Sequence, residues 1–65
     1  MARRRVMEDE FDRRLFGKTV VAKVDALLQF KKAHPEVRVV NVMRFKMLQE
    51  TNRVYVQVEV EDRGQ

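Results

Sequence analysis

An α+β fold, with one amphipathic helix packed on an antiparallel β-hairpin behind an N-terminal arm, follows from three features of the sequence. The apolar period changes from 3.6 to 2 at Val37. Four valines, Val54, Val56, Val58 and Val60, alternate with polar residues. A polar stretch at residues 49–52 separates two alternating runs by the length of a hairpin loop. The chain has 65 residues, enough for one domain with a small core. It divides into an arm (1–17), a helical region (18–35) and a hairpin (36–62).

The arm admits two readings. Met7, Phe11 and Leu15 recur every four residues, Glu10 stands four before Arg14, and Gly17 would close a short helix. This helical reading, giving α-α-β-β, accounts for more residues. The alternative makes residues 13–16 a short strand beside the hairpin, giving β-α-β-β. A two-stranded sheet is marginally stable alone. The strand reading therefore supplies a third strand, and the helical reading leaves that strand to another subunit.

The helix is expected at about residues 19–33. Thr19 is placed to cap its first free amides, and Pro35 disfavours helical geometry at His34. Lys31, Lys32 and His34 put cations in the last turn, where they suit the helix dipole. Val20, Val21, Val24, Leu27 and Leu28 form one apolar stripe, expected to lie on the sheet. Ala22, Ala26 and Phe30 form a second apolar side, with Ala33 beyond them. One sheet covers one stripe, so this second side is expected at a subunit interface.

In the hairpin, a four-residue loop pairs Leu48 with Arg53, Met47 with Val54, Phe45 with Val56 and Met43 with Val58. Apolar residues then meet across the inner face. Asn52 tolerates the left-handed backbone such loops require. Asn41 is the odd polar member of the inner face, expected to hydrogen-bond the chain entering from the helix. On the outer face Val40 and Val42 break the polar pattern, opposite Glu61 and Glu59. Apolar residues so placed are expected under a covering partner, so Val40, Val42, Ala22, Ala26 and Phe30 make up the expected interface of a homo-oligomer.

Composition excludes several kinds of chemistry. There is no cysteine or serine and a single histidine, His34, read as a solvated helix cap. Nucleophilic catalysis and an ordinary zinc site within one chain both lack their residues. Only two glycines are present, Gly17 and Gly64, so no phosphate-binding loop exists. The acidic run Glu8, Asp9, Glu10 and Asp12 lacks the glycine turn of a calcium loop. We expect no enzyme, no cofactor and no metal. No apolar stretch is long enough to cross a membrane, and acids follow the basic start where a signal peptide needs apolar residues. The expected address is the cytoplasm.

The positive signal is charge. Lys and Arg number 14 against 10 Asp and Glu, a formal net charge of +4. Arg38, Arg44, Lys46, Arg53 and Tyr55 share the outer face of the hairpin, and Arg3, Arg4 and Arg5 form a basic arm. Guanidinium to phosphate and ring to base is one way a sheet holds nucleic acid or a nucleotide. The expected function is non-enzymatic holding of such an anionic ligand on this face or in a pocket between subunits. The rival is a small regulatory protein–protein interaction module of the phage or stress type. A sheet with one face on a helix also carries charge on the other as routine.

Overall fold

The structure is a computed structural model that describes residues 3–17 and 20–63. Its elements run β1 (Arg4–Asp12), a 3-10 turn (Arg13–Phe16), α1 (Lys23–Ala33), β2 (Val37–Leu48) and β3 (Arg53–Asp62). The strands form one antiparallel sheet in the order β1-β3-β2, and α1 packs on one of its faces. The helical reading of the arm is overturned. Residues 4–12 pair with β3 from Arg4 opposite Glu61 to Asp12 opposite Arg53. The strand is also longer and earlier than the alternative placed it, because residues 13–16 are the turn that follows it. Met7 and Phe11 share a face as i and i+4 in a strand as well as in a helix, so their spacing did not discriminate. Gly17, at φ 61°, ends the turn in the left-handed region that favours glycine.

The central strand is the floor of the core. Val54, Val56, Val58 and Val60 are fully buried, joined by Phe11, Val21, Ala26, Phe30 and Val37. The helix, however, is turned from the expected orientation: of the expected stripe, Val21 is buried and Leu27 packs against the core, and the rest faces solvent. Ala26 and Phe30 are fully buried within this single chain, whereas Val24 and Leu28 are exposed. Ala26 and Phe30 are thus core residues rather than interface residues, and Ala22 is an exposed residue at the helix start. The physical reason lies in where the helix begins. Residues 20–22 precede it, so Val20 and Val21 never join a helical stripe. The stripe that remains sets a small residue, Ala26, beside the large Phe30; close approach at one and filling at the other pack better on a floor of valines. Asp25 Oδ2 accepts the Ala22 N–H at 2.9 Å, the service expected of Thr19, which lies outside the described residues.

The second correction comes from β2. Leu48 pairs with Arg53, Met47 with Val54, Lys46 with Tyr55, Phe45 with Val56 and Arg44 with Gln57. Asn52 has φ 56° in the connecting loop. Register shifts then occur between Val42 and Arg44 and between Val39 and Asn41. Each adds one residue and reverses the inside–outside parity of the strand. Between the two shifts the parity is inverted: Val42 pairs with Val58 and packs against the core, Asn41 pairs with Glu59 and is exposed, and Met43 is displaced to solvent. Val42 is therefore not an apolar residue stranded on the outer face, Met43 is not opposite Val58, and Asn41 does not face inward. Val40 lies half-buried at the second shift. The argument for an interface at Val40 and Val42 falls with the parity that produced it.

Candidate functional site

The pleat places every second residue of β1 and β3, and the β2 residues paired with them, on the face away from α1. Across the three strands these residues form rows: Arg4, Glu61 and Arg38; Val6, Glu59 and Asn41; Glu8, Gln57 and Arg44; Glu10, Tyr55 and Lys46; Asp12, Arg53 and Leu48. Arg38, Arg44, Lys46, Arg53 and Tyr55 do share this face. They do not form an uninterrupted basic surface, because β1 brings its acids alongside.

Most of the cations are engaged within the chain. Glu61 is clamped from both neighbouring strands, by Arg38 Nη2 at 2.6 Å and Arg4 Nε at 3.0 Å, and these two guanidinium groups, Arg38 first, lower its carboxyl from its ordinary value. Arg53 Nε donates to Glu10 Oε1 at 3.0 Å. Arg5 Nη2 meets Asp62 Oδ1 at 3.0 Å. The Tyr55 hydroxyl donates to Glu8 Oε1 at 2.5 Å, a bond that raises the phenol above its usual range. Arg3 is exposed, and its carbonyl accepts the Asp62 N–H at 3.2 Å. Of the eight expected anion-binding residues, Arg44 and Lys46 are exposed on the edge strand β2 with no ion pair among the described residues. β2 contains no acid, whereas β1 contains Glu8, Asp9, Glu10 and Asp12. β1 also carries Arg4 and Arg5 at its start, each held by an acid of β3, so the sheet has one basic edge and one edge that is acidic over residues 8–12. Reading the hairpin alone could not reveal this, since the acids belong to a segment favoured as helix.

At the acidic edge, the Arg14 side chain and backbone N–H both bond to Asp12, lowering its carboxyl to about 2. A carboxyl whose folded pKa lies below its unfolded value supports the fold above the unfolded pKa and loses that support as pH falls through the folded one. Asp12 and Glu61 therefore act in the same direction. Acidification from about pH 4 toward about 2 is expected to loosen both ends of β1 before the centre of the sheet. Carboxyl chemical shifts followed by NMR check this. An Asp12 midpoint near the ordinary carboxylate value would contradict it.

His34 is more than a solvated cap. Its N–H bonds to the Phe30 carbonyl at 2.9 Å, closing the helix, and its ring lies 4.4 Å from the Phe30 ring. Nε2 is 2.8 Å from Asp9 Oδ2, and Nδ1 is 3.6 Å from Glu36 Oε2. Asp9 is on the helix side of β1, so this contact joins the helix end to the acidic edge strand and gives an inward carboxylate its partner. Near the hairpin loop, Arg13, Met47, Leu48, Gln49, Asn52 and Arg53 line a recess of about 240 Å³. Among the described residues no group of three His, Cys, Asp or Glu could hold a metal ion, and no helix is long and apolar enough to cross a membrane. No family model, curated protein or solved structure matches the chain.

Proposed function

We propose that the protein is a non-enzymatic interaction module that binds another protein along the outward side of α1. The observation that carries this reading is an apolar ridge. Val24 is 58% exposed and Leu28 54%, one turn apart, and Val20, 77% exposed, precedes them. Lys23, Lys31 and Lys32 on the same helix are exposed too, while Asp25 is occupied at the helix start. An apolar ridge bordered by lysines fits a partner segment with apolar anchors and acidic flanks. Two substitutions test it, Val24→Gln with Leu28→Gln, in a protein whose fold is verified by circular dichroism. A protein partner captured by the wild type is expected to be lost by this variant and retained by Arg44→Glu with Lys46→Glu. Capture that ignores the ridge overturns the reading.

A second reading, the holding of nucleic acid or a nucleotide, rests on the exposed Arg44 and Lys46 without ion pairs. Its signature is salt dependence. Losing two phosphate contacts is expected to reduce the slope of log affinity against log salt by about 1.8 for a duplex and about 1.4 for a single strand. Under this reading Arg44→Gln with Lys46→Gln lowers that slope, Arg44→Glu with Lys46→Glu abolishes binding, and the ridge substitutions leave both affinity and slope unchanged.

A further inference from the structure

We infer that copies of this chain associate head to tail, the acidic edge β1 of one adding in parallel to the basic edge β2 of the next. This surface is separate from the helix ridge. No described strand pairs with the outer side of either edge, which leaves backbone donors and acceptors open on both. β1 and β2 each run antiparallel to β3, and so parallel to one another.

The charges select among the ways two edges can meet. Pairing β2 with β2 sets Arg44 and Lys46 against the same residues of the second copy. Pairing β1 with β1 about its acidic stretch sets Glu8 and Glu10 against carboxylates; only a register centred on Met7 sets Arg4 and Arg5 against Glu10 and Asp9, and both arginines already hold Glu61 and Asp62 of their own chain. Like charges oppose the β2 two-fold in any register that overlaps Arg44 and Lys46, and the β1 two-fold in those that overlap its acids. A sideways repeat of the sheet does the reverse. Glu8 and Arg44 belong to one row, on either side of Gln57, and Glu10 and Lys46 belong to the next, on either side of Tyr55. Continuing the rows into a second copy places Glu8 beside Arg44 and Glu10 beside Lys46, on one face and in one register. The register shift beyond Arg44 limits the regular edge of β2 to residues 44–48. The contact is therefore short, dependent on charge, and weak by the standard of permanent interfaces. Being heterologous, it builds a ring or an open chain of copies rather than a closed dimer.

Sedimentation of the full chain over a range of concentrations tests the inference. At about 0.01 M ionic strength, where the screening length is about 30 Å, the mean mass is expected to rise with concentration past that of a dimer. At about 1 M, where that length is about 3 Å, monomer is expected. Arg44→Glu with Lys46→Glu breaks no ion pair within the chain, and it is expected to stay folded and monomeric at low salt. Adding Glu8→Lys and Glu10→Lys to that variant exchanges the signs of the two edges and is expected to restore association. A wild type that is monomeric at low salt, a plateau at dimer mass, or unaltered association of the Arg44→Glu, Lys46→Glu variant would each overturn the inference.

Discussion

Replacing Phe30 by alanine is expected to remove a third or more, up to all, of the domain's stability. Truncating a fully buried phenylalanine costs on the order of 3–5 kcal/mol, the lost transfer energy and the cavity together. At roughly 0.05–0.15 kcal/mol per residue, a chain of this size has only about 3–10 kcal/mol to lose. Phe30 is fully buried on the valine floor, with its ring 4.4 Å from the His34 ring, so its truncation leaves a cavity inside the core. Leu28→Ala on the exposed ridge is the control, expected to change stability by about 0.5 kcal/mol or less. Phe45→Ala should fall between them, because Phe45 is only half-buried. Urea unfolding followed by circular dichroism separates the three. If Leu28→Ala unfolds the chain while Phe30→Ala does not, the helix presents its other side to the sheet.

The second large effect concerns two adjacent residues of β2. Val42→Asn is expected to destabilise the fold by about 1–3 kcal/mol, because it puts an amide against the core beside Val58. Asn41→Val is expected to stay within about 0.5 kcal/mol, since Asn41 is exposed beside Glu59. An uninterrupted strand would reverse the two results. The pair therefore measures whether the register shifts exist in solution, by the same urea titration.

These two predictions mark where the sequence is legible. The alternation in β3 and the four-residue loop place Val54 to Val60 inward and Leu48 against Arg53 without help from anything distant. What fails is each inference that assumed a period to persist. A period of 2 extends through residues 40–43 only if β2 is regular, and two added residues there turn it over and back. The 3.6 period extends back to residues 20 and 21 in the sequence, where no helix exists. Spacing cannot announce a bulge, although Asn41 lying between Val40 and Val42 was its trace: one polar residue inside and two apolar ones outside is the mark of reversed parity. The candidate site was less legible still. Arg38, Arg44, Lys46, Arg53 and Tyr55 lie on one face, but their electrostatic character depends on β1, whose partner strand is more than forty residues away along the chain. Glu8 and Glu10, which engage Tyr55 and Arg53, could be found only by knowing which strand stands beside which, and Glu61 meets Arg38 only because the two register shifts bring them level.

The strand order has a consequence for how the chain acquires its structure. In β1-β3-β2, the earliest of the three described strands has its sheet neighbour among them in the latest, Arg4 lying opposite Glu61. During synthesis β1 has no partner, whereas β2 and β3 can close a local hairpin across the loop at Asn52. Loop-closure entropy favours that order, and contacts between distant segments are the slow ones. The hairpin is thus the natural nucleus, and the docking of β1 together with the Asp9–His34 contact completes the fold. A chain halted before residue 53 would hold neither pairing, so the whole sheet forms through its final strand or does not form.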